Sequence, residues 1–229
     1  MFDSLSAGTQ QQMPLTPAAP ALTRRVIGAT HRRISTSLKR VLDLIVATAA
    51  LALLLPVFSC IAVAVALDSA GPIFFRQRRT GLNGKIFTIY KFRTMTVAED
   101  GDLIAHATRG DSRVTKVGAV LRELSFDELP QLINILKGDM SLVGPRPHAL
   151  AHDAHYGLLV PRYTERFDVR PGLTGQAQVL GLRGEIRQLD CMSRRIDADA
   201  EYAANWSFRG DLMIILKTFP LLLKRVNAY

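Results

Sequence analysis

The sequence has few cysteines, few aromatic residues and fewer acidic than basic residues. Its two cysteines, Cys60 and Cys191, cannot form a disulfide framework, which excludes a disulfide-stapled secreted scaffold and favours a reduced, cytoplasm-facing protein. Aromatic residues make up 7% of the chain and do not interleave with the basic runs, which argues against nucleic-acid binding. Twenty acidic residues stand against 29 lysines and arginines. This balance favours an anionic partner such as a phospholipid surface or a phosphorylated substrate.

Charge is missing altogether from residues 44–67. As a helix this run would be about 36 Å long, which is enough to cross a bilayer. The residues before it are basic, and residues 1–23 are rich in Ala, Pro, Gln, Ser and Thr without apolar periodicity. We therefore predict a disordered basic tail over residues 1–34 and a membrane segment over residues 35–70.

Two topologies remain possible for the membrane segment from these features, a single-pass anchor and a re-entrant hairpin. A signal peptide is a poor fit because the apolar run exceeds the usual 7–15 residues or so. Pro56 lies near the middle of the run, where it removes a backbone hydrogen bond and kinks a helix. Basic residues flank both ends, so the positive-inside rule places both on the cytoplasmic side. These features favour the re-entrant helix-break-helix.

Residues 71–229 are predicted to form a mostly helical α/β domain. Residues 72–75 and 86–92 are β-rich and are joined by a turn at 81–84. Helices are expected over 114–124, over 129–136 with a stop at Gly138, over 186–204, and over 211–225 with an interruption at Pro220. The last of these is apolar but too short to span a bilayer, so it is expected to pack on the domain or to lie in the membrane interface as an amphipathic helix.

Asp127 and Glu128 are adjacent carboxylates at the predicted start of a helix. Ser125 with Glu128 matches a capping box, whereas Asp127 as the cap would leave Pro130 in the first turn, where no amide donor is needed. A carboxylate at this point could instead act as a nucleophile toward phosphorus. Both the capping and the catalytic interpretations remain open from the spacing alone.

Basic residues occur in three short, conformationally restricted motifs, around Lys91 and Arg93, around Arg146 and around Arg170. Such backbones lower the entropy lost on holding a phosphate, although solvated surface arginines are an equally simple interpretation of each motif. Three histidines, His148, His152 and His155, would share one helical face. Their spacing permits a metal site, but surface histidines are commoner.

Several motifs in one order resemble the bacterial sugar transferase family. These are the monotopic polyprenyl-phosphate phosphoglycosyl transferases that begin exopolysaccharide and related glycan assembly. The motifs are KFRTM at 91–95, LSFDELPQLINILKGDMSLVGPRP at 124–147, RPGLTGQAQV at 170–179 and NWS at 205–207. The chain is similar to minimal exopolysaccharide-initiating members. The resemblance implies a catalytic domain on the cytoplasmic face of the bacterial inner membrane, and it is compatible with a homo-oligomer.

The resemblance also implies a ping-pong transfer of a sugar-1-phosphate from a UDP-sugar to polyprenyl phosphate. Asp127 matches the nucleophile that expels UMP and forms a covalent phosphoglycosyl-aspartate. Glu128 matches its acidic partner, and the two match the ligands of a required Mg²⁺. Pro56 matches the proline that breaks the re-entrant helix. The basic positions near the phosphates are matched by Lys91, Arg93, Arg122, Arg146 and Arg170.

The sequence leaves alternatives open for the donor sugar and for the class of protein. Residues 177–185 are similar to members that transfer glucose-1-phosphate, so UDP-glucose is favoured and UDP-galactose is its close rival. A membrane-anchored direct glycosyl transferase would release a nucleoside diphosphate instead of a monophosphate. A non-catalytic basic protein that binds the membrane surface would release no nucleotide.

Overall fold

The computed structural model describes residues 29–96, 110–184, 186 and 188–223. Helix α1 spans Ala29–Asp68 and includes Pro56 without an interruption of its helical backbone. The predicted tail therefore lies outside the described residues up to residue 28, and residues 29–34 form the first turns of α1 instead. Residues Thr36–Asp68 are long and apolar enough to cross a membrane, with only 11% of the most apolar window buried. The re-entrant topology stays a prediction.

Two small sheets support the domain. Strands β1 (Phe74–Thr80) and β2 (Ile86–Phe92) form an antiparallel hairpin in which Phe74 pairs with Phe92. The predicted turn is confirmed as a short 3-10 helix over Leu82–Gly84. The first strand was predicted too early and too short, because three arginines after Phe75 hide its alternation. Strands β3 (Ser141–Val143) and β4 (Gly172–Thr174) pair in parallel.

The domain is otherwise helical, as predicted. Its α-helices are α2 (Lys116–Glu123), α3 (Gln131–Lys137), α4 (Leu150–Leu159), α5 (Gln176–Val179), α6 (Leu189–Ala204) and α7 (Phe208–Leu223). Two further 3-10 segments cover Phe126–Glu128 and Tyr163–Asp168. Gly138 ends α3 with a φ of 89°, the left-handed conformation expected of a helix stop.

Both halves of α1 pack against this domain. Ala47, in the first half, belongs to a buried apolar cluster with Leu132 and Ile135 of α3. Val65, in the second half, belongs to a different cluster, with Phe92 at the end of β2. Between these contacts, one side of α1 is exposed on the protein surface, including Leu53, Leu55 and Val63.

Helix α7 has two unlike faces. Asp211 and Ile214 are buried, and the apolar side chains of Leu212, Met213, Leu216 and Phe219 are exposed. The amphipathic character expected of this segment is therefore present. A membrane interface is the environment that accommodates such a face at low cost.

Gly118 allows a direct test of the packing that carries α2. A Cβ at Gly118 would lie 2.2 Å from the carbonyl oxygen of Thr94, and the backbone cannot yield cheaply. We expect Gly118→Ala to lower the free energy of unfolding by about 1–3 kcal/mol. The matched control is Gly157→Ala in α4, where the nearest atom would be 3.8 Å away and a helical alanine should stabilise by up to about 1 kcal/mol. Thermal unfolding in detergent measures both, and equal melting temperatures would contradict this packing.

Candidate active site

A cavity of about 250 Å³ is lined by residues from most elements of the domain. Its wall carries six cationic side chains and two carboxylates, which leaves a formal excess of four positive charges. The cations are Arg79, Lys91, Arg122, Arg146, Arg183 and Arg195, and the carboxylates are Asp127 and Glu128. This charge balance suits a ligand with several negative charges, such as a diphosphate.

The two carboxylates reach the cavity because the chain turns sharply before α3. Ser125 has a φ of 58°, and the following residues form the 3-10 turn Phe126–Glu128. The capping interpretation is wrong for both candidates: Ser125 makes no side-chain cap bond, and α3 begins at Gln131 after an uncapped Pro130. The Ser125 hydroxyl instead accepts a hydrogen bond from Arg183 at 3.1 Å.

Glu128 is buried and is held by three cations. Lys91 Nζ donates to its Oε1 at 3.1 Å, and Arg183 Nη2 lies 3.4 Å from the same oxygen. Arg146 forms a two-pronged contact, with Nη1 at 3.1 Å from Oε2 and Nη2 on Oε1. Burial alone would raise the pKa of Glu128, but Arg146, Lys91 and Arg183 together hold it well below its usual value. This side chain is therefore a fixed anion.

Asp127 has a different environment although it is the next residue. Its closest ionic contact is with Lys91 Nζ, at 3.7 Å, and no hydrogen bond to its carboxylate is found within the described ranges. Burial raises the pKa of Asp127, and the charge of Glu128 raises it further against the opposing effect of Lys91. Asp127 is thus the more basic and less restrained carboxylate. Adjacent groups with opposite pKa shifts are typical of catalytic pairs.

Three of the five predicted basic residues join this pair. Lys91 stands near the end of β2, and burial lowers its pKa. Arg122 comes from α2, where burial also lowers its pKa, and its buried Nε has no partner among the described residues. Arg146 follows β3. The structure therefore brings Asp127, Glu128 and these three cations to one cavity.

Arg93 and Arg170 are not among the residues that line this cavity, so the structure does not bring them together with the other predicted site residues. Arg93 is buried and donates to the carbonyl oxygens of Val65 at 3.2 Å and Ser69 at 2.5 Å, so it closes the C-terminal end of α1. The Arg170 Nε donates to the carbonyl oxygen of Gly138 at 3.1 Å, just beyond α3. Both guanidinium groups therefore donate to carbonyl oxygens at or just beyond a helix end.

The three histidines do not act as one group. His148 and His152 line the cavity, whereas His155 is exposed and packs against the ring of Tyr156. Within residues 29–96, 110–184, 186 and 188–223, no group of three His, Cys, Asp or Glu side chains is placed to hold a metal ion. An ion at this site would therefore depend on Asp127, Glu128 and oxygens of a ligand.

Sequence reasoning missed four polar residues of the cavity wall, Arg79, Gln131, Arg183 and Arg195. Arg183 had a local signal, since Gly181 and Gly184 enclose it in a short loop between α5 and α6. The other three stand inside a strand or helices, where nothing in the sequence separates them from solvated surface residues. Only the packing of distant segments brings them to the cavity.

Comparison with known proteins agrees with this geometry. Residues 34–225 match the bacterial sugar transferase family. A UDP-glucose:undecaprenyl-phosphate glucose-1-phosphate transferase from Caulobacter vibrioides is 49% identical over 229 residues, which cover 100% of this chain and 86% of that protein. A protein of the same name from Escherichia coli (strain K12) is 50% identical over 181 residues, 79% of this chain.

Coverage of the relatives differs. The chain matches only 39% of the Escherichia coli protein, but it matches 98% of the exopolysaccharide production protein PSS from Rhizobium leguminosarum bv. phaseoli, at 43% identity over 196 residues. The family match begins in α1 and extends beyond the cavity residues to α7. The chain therefore belongs to the bacterial sugar transferase family.

Proposed function

We propose that this protein is a phosphoglycosyl transferase that moves glucose-1-phosphate from UDP-glucose to undecaprenyl phosphate and releases UMP. The observation that carries the proposal is the buried Asp127–Glu128 pair at the wall of a cationic cavity, with one carboxylate fixed and the other less restrained. The names of the Caulobacter and Escherichia relatives support the choice of donor and acceptor. The exopolysaccharide protein from Rhizobium supports a place at the start of exopolysaccharide assembly.

In the first half-reaction, an oxygen of the Asp127 carboxylate attacks the phosphorus that bears the sugar. The new bond joins Asp127 to that phosphorus, and the bridging oxygen departs with its electron pair on UMP. Lys91, Arg122 and Arg146 line the same cavity, where they stabilise the negative charge that grows on the leaving phosphate. Glu128 keeps two of these cations, Lys91 and Arg146, in position.

In the second half-reaction, an oxygen of the lipid phosphate attacks the same phosphorus. The bond to Asp127 breaks, the carboxylate is restored, and the lipid now carries a diphosphate-linked sugar. A covalent intermediate suits this pair of substrates because one is soluble and the other is held in the membrane, so the two need not be bound together.

Mg²⁺ fits the donor set of this cavity. Two adjacent carboxylates match a cation that takes one or two carboxylates and completes its shell with phosphate oxygens and water. Asp127 and Glu128 would hold it, and Asp127 has the more available oxygens because Glu128 is already engaged. When bound, the ion would neutralise phosphate charge and polarise a phosphoryl oxygen.

The contacts of α1 support the re-entrant topology, in which both of its ends lie on the same side of the membrane. Near its N-terminal end, Lys39 Nζ lies 2.6 Å from a carboxylate oxygen of Asp211 in α7. At its C-terminal end, Asp68 accepts a hydrogen bond from the backbone of Val117 at 3.1 Å. A helix that crosses the bilayer would place these ends on opposite sides of a hydrocarbon layer about 30 Å thick. Both ends instead bind one domain, while Leu53 and Leu55 between them are 80% and 64% exposed.

Asp127→Asn and Glu128→Gln are expected to distinguish a catalytic role of Asp127 from a role of Glu128 that is also structural. Asp127→Asn should reduce UMP release by at least about 10³-fold, because the nucleophile is lost. It should leave the melting temperature nearly unchanged, since burial already disfavours the Asp127 charge. Glu128→Gln should also be inactive, and it should lose about 3–5 kcal/mol of stability because three cations lose their buried partner. Substantial turnover by Asp127→Asn would rule out this nucleophile.

The covalent step predicts a burst. With UDP-glucose and Mg²⁺ but no lipid, the enzyme should release up to one equivalent of UMP after rapid acid quenching. It should gain the mass of a glucose-phosphate at Asp127, and Asp127→Asn is the matched control that should gain none. If turnover proceeds without burst or adduct, a direct displacement replaces this mechanism. Release of UDP would indicate a direct glycosyl transferase, and release of no nucleotide a binding protein.

Topology can be tested by labelling single cysteines on intact cells with a membrane-impermeant thiol reagent. Thr36→Cys reports the N-terminal side of the apolar run, and Lys85→Cys is the control within the domain, both in a background that lacks Cys60 and Cys191. Neither site should react before the cells are permeabilised. In Pro56→Leu, which restores the backbone hydrogen bond, the residue 36 site should begin to react as some helices span. Reaction of that site in the parent would establish a single-pass anchor.

A further inference from the structure

His148 has one fully bonded nitrogen and one without a partner. Its Nδ1 lies 2.7 Å from the Tyr163 hydroxyl and also accepts from Arg166 Nη1. Its Nε2 is buried and has no hydrogen-bond partner among the residues that the structure describes. The residue is only 8% exposed and lines the cavity that holds Asp127 and Glu128. A buried polar atom without a partner is costly unless a ligand or water completes it.

The hydrogen bonds assign the tautomer of His148. An arginine can only donate, so Nδ1 beside Arg166 must be the acceptor and cannot carry a proton. The neutral ring then carries its single proton on Nε2. Burial, with the nearby charges of Arg166, Arg195 and Arg79, holds the pKa of His148 well below its usual value. The side chain is therefore a neutral N–H donor at the cavity wall.

Two other donors of the cavity wall are also buried without partners. They are the Gln131 Nε2 and the Arg122 Nε. Three buried donors without partners, on residues that line one cavity, suit a ligand rich in acceptor oxygens. His148 differs from Arg122 because it carries no charge. Ile186 and Met192 also line the cavity and pack in one apolar cluster with Tyr163, the neighbour of His148.

We propose that His148 binds the donor substrate through its Nε2–H, which donates to a neutral oxygen of the nucleotide-sugar outside the diphosphate. That oxygen is either a hydroxyl of the sugar or a carbonyl of the base. The cations around Glu128 take the charged diphosphate, and the uncharged His148, with Ile186 and Met192 on the same cavity wall, takes an uncharged part of the same molecule. This assignment rests on the proposed function, since it requires a nucleotide-sugar in the cavity.

Two substitutions divide the roles of the two ring nitrogens. His148→Asn keeps an acceptor near the Nδ1 position for Arg166 but has no donor near Nε2. His148→Gln places an amide donor near the Nε2 position but removes the Nδ1 acceptor. Each is made in Asp127→Asn, so that bound substrate does not react. Calorimetric titrations of the full chain in nanodiscs with Mg²⁺ then give Kd for UDP-glucose and for UDP.

His148→Asn should weaken UDP-glucose binding by about 2- to 12-fold, the range for one neutral hydrogen bond, at a nearly unchanged melting temperature. His148→Gln should have a Kd for UDP-glucose closer to that of the Asp127→Asn parent, although its melting temperature should be lower. A loss with UDP-glucose alone assigns the acceptor to the sugar, and an equal loss with UDP assigns it to the uridine.

Unchanged Kd values in His148→Asn would overturn the proposal, and so would losses in both variants that follow their melting temperatures. If His148→Asn does not fold, His148→Gln decides: parent-like binding supports the proposal and a 2- to 12-fold loss contradicts it. If neither the Asp127→Asn parent nor the chain with Asp127 intact binds UDP, the proposed function itself fails, which is a different result from parent binding without an effect of His148.

Discussion

Glu128 is the anion around which the site is assembled. Its carboxylate contacts Lys91 from β2, Arg146 from the loop after β3 and Arg183 from the loop after α5. Three cations this close would repel one another strongly in a partly buried site without a shared counter-charge. Their convergence therefore depends on one residue. Their engagement with Glu128 leaves Asp127, within the part of the chain that the structure describes, with a single and longer ionic contact.

Arg166, a buried cation outside the Glu128 cluster, holds the loop of Arg146 in place. Arg166 donates to the carbonyl oxygen of Arg146 and forms an ion pair with Asp199 at 3.2 Å. The same guanidinium fixes the ring of His148. The Arg146 side chain and the His148 ring are thus oriented by one fully buried group, so the wall is shaped before any ligand binds. Such preorganisation reduces the cost of binding and of charge stabilisation.

The sequence could predict the local parts of the site but not its long-range partners. Asp127, Glu128, Lys91 and Arg146 stand in distinctive motifs, and a stop such as Gly138 follows from backbone chemistry. Arg93 stands two residues after Lys91, which in a continuing strand would place both on one face. Strand β2 ends at Phe92, however, so Arg93 turns to the end of α1. The capping prediction failed because nothing in the sequence shows that Ser125 takes a left-handed conformation.

The cationic excess of the cavity gives a physical reason why one site can serve both half-reactions. Burial lowers the pKa of Lys91 and of Arg122, and it lowers that of Arg195 to about 10, so each charge is costly without an anion. In the proposed cycle, a donor diphosphate would supply that anion. After the departure of UMP, the phosphate on Asp127 would keep part of the negative charge, and the lipid phosphate would bring more. An anion therefore occupies the cavity throughout the proposed cycle, and the free protein is the state in which its cations are least compensated.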